Sequence, residues 1–189
     1  SESFDVAFTA GPTYRNGFLV LGSNDGELLA LDSMTGDTIW MSEVTSEVLA
    51  PVAIKDESIF VRSVDGNLMS YSTIDGSVNW TSTHDVPRLS LRGTSAPVVI
   101  SNAVICGFDD GKVTAYDLTD GSLLWETMLT PPGGRTEIEK VSDIDAPLVI
   151  YGNEVYAGSY QGALAALAIE SGNIIWLTEA SLYLSLIHI

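Results

Sequence analysis

The stretch that decides the fold is NDGELLALDSMTGDTIW, which runs from Asn24 to Trp40. Its two glycines lie ten residues apart, and a tryptophan follows the second glycine by four residues. The same spacing recurs three times, so that all four tryptophans of the chain end such a set: Gly26, Gly36, Trp40; Gly66, Gly76, Trp80; Gly111, Gly121, Trp125; and Gly162, Gly172, Trp176. A proline stands 14 or 15 residues before each set, at Pro12, Pro51, Pro97 and Pro147. The chain is therefore built from four repeats.

Each repeat has the pattern of four short strands joined by tight turns. In the first repeat, Gly17–Ser23 and Glu27–Asp32 are of strand type, and Gly26 between them suits a hairpin turn. A second turn leads to the strand Asp37–Met41, and the stretch around Pro12 supplies an inner strand. Repeated four-stranded antiparallel units are the blades of a β-propeller. A parallel β-helix is the alternative, but its turns of chain are shorter and lack paired hairpin glycines.

Composition excludes several classes of function. With 46% hydrophobic residues the chain is not disordered, and its net charge of −17 argues against nucleic acid or an anionic membrane surface as partner. Cys106 is the lone cysteine and lies in an apolar run, as expected of a small buried residue. The two histidines are His84 and His188, and no cluster of metal ligands stands out. We expect no catalytic residues, no metal site and no cofactor.

The docking of the repeats is indicated by a family resemblance. Ala30-x-Asp32-x-x-Thr35-Gly36-x-x-x-Trp40 resembles the tryptophan-docking pattern of PQQ-like propeller repeats. The third repeat keeps Ala115, Asp117, Gly121 and Trp125. The second repeat departs with Ser70 and Ser72, and the fourth has Ala168 in place of the aspartate. In that family the indole packs between neighbouring blades. The resemblance implies a structural docking role for Trp40, Trp80, Trp125 and Trp176.

Function should lie where the repeats differ. From tryptophan to the next proline the chain takes 11 residues after Trp40, 17 after Trp80 and 22 after Trp125. We name the two enlarged connections insertion 1 (Thr83 to Ala96) and insertion 2 (Thr130 to Ala146). Long loops on a rigid scaffold are where binding residues concentrate. Because they follow consecutive blades, the insertions are expected to emerge side by side.

Two interpretations of the insertions remain open. Insertion 1 carries Leu89 and Leu91 at alternate positions, followed by Arg92, and insertion 2 ends with Asp143 and Asp145. In one interpretation the leucines cap the core, and Arg92 pairs with one of the aspartates. In the other the five residues form a patch that binds a partner, since aliphatic anchors beside an arginine are typical of interface centres. The two interpretations are compatible.

The insertions also carry a closer resemblance. LSLRGTSAP (89–97) and RTEIEKVSDIDAP (135–147), in this order and at this separation, resemble the BamB family of lipoprotein β-propellers from the outer-membrane β-barrel assembly machinery. The likeness extends from Gly11 to about Trp176. It implies a non-enzymatic scaffold that docks on the POTRA region of the barrel subunit, BamA, through Leu89, Leu91, Arg92, Asp143 and Asp145. It also implies nascent outer-membrane proteins as a second partner and a place on the periplasmic face of the outer membrane.

The same resemblance sets the expected domain organisation. We expect residues 1–183 to form part of a β-propeller, with repeats at about 9–44, 45–82, 92–127 and 142–178. Residues 184–189, LSLIHI, resemble a translated sequencing-library adapter, so we expect them to be non-native read-through. The resemblance implies that the full-length proteins have eight blades and a lipidated N-terminal cysteine. The chain is thus expected to be an internal fragment of about four blades, without the lipid anchor.

Two other functions remain as alternatives. A quinoprotein dehydrogenase would hold pyrroloquinoline quinone and calcium on the same repeats. Such enzymes carry a vicinal cysteine pair, which the single Cys106 cannot supply. A generic propeller adaptor with a different partner is the other alternative, and the two insertion sequences count against it.

Overall fold

The protein is described by a computed structural model at residues 7–85, 95–129, 144, 146–159 and 163–179. In these residues the regular structure is all β. The strands are β1 (Phe8–Arg15), β2 (Phe18–Ser23), β3 (Glu27–Asp32), β4 (Thr38–Glu43), β5 (Ala53–Lys55), β6 (Ser58–Arg62), β7 (Asn67–Ser72), β8 (Val78–Thr83), β9 (Val98–Val99), β10 (Ala103–Gly107), β11 (Lys112–Asp117), β12 (Leu123–Met128), β13 (Val149–Tyr151), β14 (Glu154–Gly158), β15 (Ala163–Ala168) and β16 (Ile174–Glu179).

The strands form four antiparallel sheets, each made of four consecutive strands in chain order. The chain divides into two compact units, Ser1–His84 and Asp85–Ile189. Unit 1 holds β1–β4 (blade 1) and β5–β8 (blade 2), and unit 2 holds β9–β12 (blade 3) and β13–β16 (blade 4). The predicted class, an all-β propeller of four-stranded antiparallel blades, is confirmed. The described residues contain no helix long and apolar enough to cross a membrane.

Every sheet has the same irregularity beside its tryptophan. In blade 1, Ala30 pairs with Trp40 but Leu31 pairs with Thr38, which leaves Ile39 as an extra residue in the outer strand. The pairing slips at the same place in the other three sheets. A bulge of this kind twists the strand locally and redirects the side chain next to it. The irregularity is thus a constant part of how the repeat presents its tryptophan.

Each unit has its own core, formed where its two blades pack face to face. In unit 1, Val20 and Ala30 of blade 1 pack with Ile59, Met69 and Tyr71 of blade 2, and all are buried. In unit 2 the corresponding cluster includes Ile105 and Ala115 of blade 3 and Val155, Ala165 and Leu167 of blade 4. Alternate residues of the inner strands enter these clusters, such as Ile59 and Val61 of β6 and Met69 and Tyr71 of β7, as expected for strands in packed sheets.

Tyr71 gives the core of unit 1 a measurable pH dependence. Its side chain is fully buried, its hydroxyl donates to the Glu43 carbonyl at 2.8 Å, and burial raises its pKa to about 12. The raised pKa means that the phenol stabilises the fold fully below pH 10, its ordinary pKa, and that this contribution is lost as pH rises through 12. We therefore expect Tyr71→Phe to lose less stability than the wild type on going from neutral to strongly alkaline pH.

Urea unfolding of both proteins at several alkaline pH values measures this difference. At neutral pH the variant should be about 0.5–1.5 kcal/mol less stable, because it lacks the hydrogen bond to Glu43. The gap should close as Tyr71 ionises. Parallel pH curves for the two proteins would contradict the assignment.

Candidate functional site

The first junction between blades is built on Trp40. Its indole is 8% exposed and donates from Nε1 to the Thr73 carbonyl of blade 2 at 3.0 Å. Two residues along β4, the Ser42 hydroxyl donates to the Gly76 carbonyl at 2.6 Å. Gly76 has a φ of +70°, and a Cβ there would lie 2.6 Å from Trp40 Cε3. The glycine is therefore required twice, for the turn and for the approach of the indole.

The junction in unit 2 repeats these contacts. The Trp125 indole, 9% exposed, donates to the Ile169 carbonyl at 2.8 Å, and the Thr127 hydroxyl donates to the Gly172 carbonyl at 2.7 Å. A Cβ on Gly172 would lie 2.6 Å from Trp125 Cδ2. In both units the tryptophan of one blade thus docks on the second glycine turn of the next blade.

The other two tryptophans differ from each other. Trp80 is 8% exposed, and its ring centroid lies 5.9 Å from that of Phe60 in the same blade. Trp176 is 39% exposed, with its ring centroid 6.0 Å from that of Tyr156. Trp176 and Trp125 therefore stand at equivalent repeat positions but in different surroundings.

In blade 1 the aspartate of the repeat shapes the turn between the third and fourth strands. Asp32 Oδ1 accepts hydrogen bonds from the backbone N–H groups of Met34 and Thr35, at 2.8 and 2.9 Å. These two hydrogen bonds hold the pKa of Asp32 below its ordinary value, and the bond from Thr35 contributes most. In blade 2 the Ser72 hydroxyl replaces the carboxylate and accepts from the N–H of Ile74 at 3.2 Å. Serine in place of aspartate in the second repeat thus still provides an oxygen that accepts a hydrogen bond within the turn.

Insertion 2 lies between two positions that have equivalents in unit 1, in the short connection that follows Trp40. In unit 1, the Val44 N–H donates to the Gly26 carbonyl at 2.7 Å, and the Val48 N–H donates to the Ser23 carbonyl at 2.9 Å. Leu129 and Ile144 make the equivalent bonds in unit 2, to Gly111 at 2.9 Å and Phe108 at 3.2 Å. Three residues separate the first pair and fourteen separate the second. The added chain therefore leaves and returns at fixed points.

Ile144 is the return point of insertion 2. It is fully buried, and its Cγ2 atom would lie 2.5 Å from a Cβ placed on Gly107. Val48 approaches Gly22 in the same way in unit 1, with its Cγ1 atom 2.5 Å from the position of a Cβ. Since Ile144 lies between Asp143 and Asp145 in sequence, the chain is fixed next to both aspartates.

Insertion 1 is held by the equivalent bond at its start and by a different contact at its end. At its start the His84 N–H donates to the Gly66 carbonyl at 3.0 Å, and His84 is 7% exposed. At its end Ser95 is fully buried, and its hydroxyl donates to the Ala146 carbonyl at 3.4 Å. This hydrogen bond joins the C-terminal ends of the two insertions. A contact there is consistent with the prediction that the insertions emerge side by side.

The five residues predicted to bind a partner lie outside the described residues. They are Leu89, Leu91, Arg92, Asp143 and Asp145. Their assignment stays a prediction from sequence, and so does the pairing of Arg92 with an aspartate. What the structure describes is the support on either side of them.

Sequence reasoning missed the core positions that hold the connections. Val48 and Ile144 each stand three residues before the proline of the next repeat. They pack against Gly22, the last residue but one of β2, and Gly107, the last residue of β10. An aliphatic residue at a constant distance before the proline could have indicated these core positions. It was hidden because Thr94 takes that position in the remaining connection.

Known proteins share both the sequence and the fold. The family model described as "Outer membrane protein assembly factor BamB" matches residues 1–189. A protein of that name from Yersinia pestis is 34% identical over 179 residues, which are 95% of this chain and 46% of the relative. The crystal structure of BamB from Moraxella catarrhalis superposes with a TM-score of 0.89 at 28% identity, covering 96% of this chain and 56% of that one.

A more distant likeness concerns the fold alone. Quinohemoprotein alcohol dehydrogenase from Comamonas testosteroni superposes with a TM-score of 0.75 at 18% identity, covering 93% of this chain and 35% of that one. The chain spans about half the length of the assembly factors it matches. Since the family model covers every residue, the chain belongs to the family of outer membrane protein assembly factor BamB.

Proposed function

We propose that the chain is part of a non-enzymatic scaffold subunit of the outer-membrane protein assembly complex. It docks on the POTRA region of a BamA-type barrel subunit at the periplasmic face of the outer membrane, where a lipid anchor holds the full-length protein. There it assists the folding and insertion of β-barrel proteins. The family membership over all 189 residues supports the assembly role.

The observation that carries the docking is the splice of insertion 2 between Leu129 and Ile144. Both residues are buried, at 2% and 0% exposure, so the residues on either side of the insertion are packed in the core. A binding loop held at both ends loses less conformational entropy when it meets its partner than a free one does. The hydrogen bond from Ser95 to Ala146 supports a single surface formed by both insertions.

The residue types of that surface define the partner's chemistry. Leu89 and Leu91 would fill an apolar groove, Arg92 would reach a carboxylate or backbone carbonyls, and Asp143 and Asp145 would meet basic side chains. With a net charge of −17 on this chain, complementary positive charge on the partner also speeds association. The docking face of the POTRA region should therefore be an apolar groove with a basic rim.

A role without catalysis fits the described residues. Cys106 is fully buried, and the described part of the chain holds no group of three or more potential metal-ligating side chains. The relatives bear the name of assembly factors, and the likeness to quinohemoprotein alcohol dehydrogenase extends only to the fold. The names of the relatives support the scaffold over the dehydrogenase.

Charge reversal tests the docking. We expect Asp143→Lys with Asp145→Lys to weaken binding to a purified POTRA region by about 30-fold or more, as removal of a hot spot of about 2 kcal/mol does. Arg92→Ala should weaken it to a similar degree. Isothermal titration calorimetry gives the dissociation constants.

The matched control makes the same change in net charge at positions outside the insertions. Asp25 and Glu57 are exposed on turns of unit 1, so Asp25→Lys with Glu57→Lys alters the net charge equally without touching an insertion. The control should bind like the wild type. Equal losses of affinity in both double variants would mean that net charge alone causes the effect. An insertion variant that is folded and binds with wild-type affinity would refute the assignment.

A further inference from the structure

A groove lies between blades 3 and 4 of unit 2. Its volume is about 600 Å³, within the range of about 300–1,000 Å³ that is usual for ligand sites. The turn between β9 and β10 lines one side, and the turns between β13 and β14 and between β15 and β16 line the other. Strand β10 runs from Ala103 at the groove to Gly107, which packs against Ile144. The groove and the return point of insertion 2 thus lie at opposite ends of the blades.

The interior of the groove is apolar. Ile100 on the side of blade 3 and Ile150 and Ile169 on the side of blade 4 are partly buried against the core of unit 2. Leu124 lines the groove and is 45% exposed, and the buried Trp125 lies next to it. A ligand that covers these side chains removes apolar surface from water, which favours binding.

Unit 1 fills the equivalent place with an aromatic ring of its own. Phe18, the first residue of β2, pairs with Asp32 and is partly buried against the core of unit 1. Ala103, the first residue of β10, pairs with the equivalent Asp117 and lines the groove. Phe18 lies on the same side of its strand as Val20, which belongs to that core. The groove of unit 2 therefore lies where unit 1 has a phenyl ring and unit 2 has only a methyl group.

The rim of the groove supplies polar groups. Asn102, Asn153 and Glu170 line it and are exposed. A side-chain amide can exchange hydrogen bonds with a phenolic hydroxyl, and a carboxylate can accept one from it. The carboxylate of Glu170, on a chain with a net charge of −17, also disfavours an anionic ligand. The groove thus suits a neutral aromatic group, and tyrosine in particular, with its ring inside and its hydroxyl at the rim.

We propose that this groove binds an aromatic side chain of an unfolded polypeptide, in the place that Phe18 fills in unit 1. The argument for this occupant is that the chain itself shows which kind of side chain fills the equivalent place. That the polypeptide is an outer-membrane β-barrel protein before its insertion rests on the proposed function. The strands of such proteins alternate apolar and polar residues and carry aromatic residues at both membrane interfaces, so they offer suitable side chains.

Nuclear magnetic resonance of the full chain, labelled with ¹⁵N, tests the groove with two peptides. Both are uncharged and about ten residues long, like one strand of a barrel, with alternating polar and apolar residues. They differ only in a central tyrosine or alanine. The tyrosine peptide should shift the signals of the Trp125 indole N–H and the Asn153 side-chain amide, and leave the Trp40 indole N–H unchanged. The alanine peptide should bind at least about tenfold more weakly.

Ala103→Phe is the main variant, because it gives unit 2 the ring that unit 1 has. It should weaken binding of the tyrosine peptide by at least about tenfold without lowering the urea midpoint of unfolding. Leu124→Glu, at a 45% exposed position, replaces it if Ala103→Phe is less stable than the wild type. Met34→Phe is the matched control, since it adds a ring at an 89% exposed position in a turn of unit 1 and should bind the peptide normally.

Wild-type affinity for the tyrosine peptide in a folded groove variant would overturn the proposal. Equal affinity for the two peptides, or signal changes confined to residues outside the groove, would also overturn it. Binding of a purified POTRA region separates this proposal from the docking: Ala103→Phe should bind it normally, and loss of both ligands would show that the groove is not a separate site. A wild type that binds the POTRA region but not the tyrosine peptide would refute the groove alone. Specific peptide binding without POTRA binding would support the groove and refute the docking.

Discussion

Replacing Trp125 with alanine is expected to lower the free energy of unfolding of unit 2 by about 3–5 kcal/mol, the usual cost of truncating a buried tryptophan. The indole is 9% exposed and packs on Gly172 between blades 3 and 4. Its removal leaves a cavity in the core that joins the two blades, and the Ile169 carbonyl loses its hydrogen bond from Nε1. Both losses fall on the same junction, so we expect unit 2 to unfold at clearly lower urea concentration.

Trp176→Ala is the matched control for this prediction. It makes the same chemical change at the equivalent position of the next blade, but its indole is 39% exposed. We expect a loss below about 2 kcal/mol, because much less surface is removed from the protein interior. Urea unfolding followed by far-ultraviolet circular dichroism, at protein concentrations where the chain is monomeric, compares the two variants. Equal losses would contradict the docked geometry of Trp125.

Gly172→Ala is expected to have the second-largest effect. The residue has a φ of +69°, which strains any side chain, and the added methyl group would lie 2.6 Å from Trp125 Cδ2 and 2.8 Å from Thr127 Oγ1. Backbone strain costs about 1–3 kcal/mol and overpacking against a buried ring about 1–3 kcal/mol more. We therefore expect a loss of about 2–6 kcal/mol, in the lower part of that range if blade 4 shifts outward.

Gly36→Ala separates the two causes. Gly36 has nearly the same φ, +76°, but no atom lies within 4 Å of the position of its Cβ. It should show the strain alone, about 1–3 kcal/mol. The difference between the two variants in chemical unfolding then measures the contact with the indole. If Gly36→Ala is as destabilising as Gly172→Ala, the close approach of Trp125 to the turn is wrong.

The glycine and tryptophan spacing was enough to predict the blades. In the first repeat the predicted strands Gly17–Ser23 and Glu27–Asp32 correspond to β2 and β3, and the inner strand near Pro12 is β1. These elements follow from local turn chemistry and alternation, which a single sequence displays. The bulge before each tryptophan was not predicted, because it depends on how two strands pair rather than on either one.

The environment of the tryptophans was less predictable. All four stand at one repeat position and received one interpretation, yet Trp176 is 39% exposed while the others are 8–9% exposed. Exposure depends on what packs against a residue, and the repeat pattern does not contain that information. The buried roles of Val48 and Ile144 were missed for the same reason, since both pack against glycines far away in sequence.

The positions of the two insertions were predictable from the sequence, whereas the binding roles of their residues stay a prediction. Counting residues from tryptophan to proline located both insertions, and the structure describes fixed core residues at their ends, Leu129 and Ile144 for insertion 2. The roles of individual loop residues depend on a partner surface. Arg92, for example, suits either a salt bridge with Asp143 or Asp145 or a direct contact with the barrel subunit. A binding experiment distinguishes the two.

Hydrogen–deuterium exchange of the chain with and without a purified POTRA region of a BamA-type subunit tests the docking most directly. It reports on each segment without any substitution. The proposed docking predicts slower exchange on binding in peptides from residues 83–96 and 130–146, with the outer strands β4, β8, β12 and β16 unchanged. Slower exchange confined to the outer strands, or no change in either insertion under conditions where the complex forms, would contradict it.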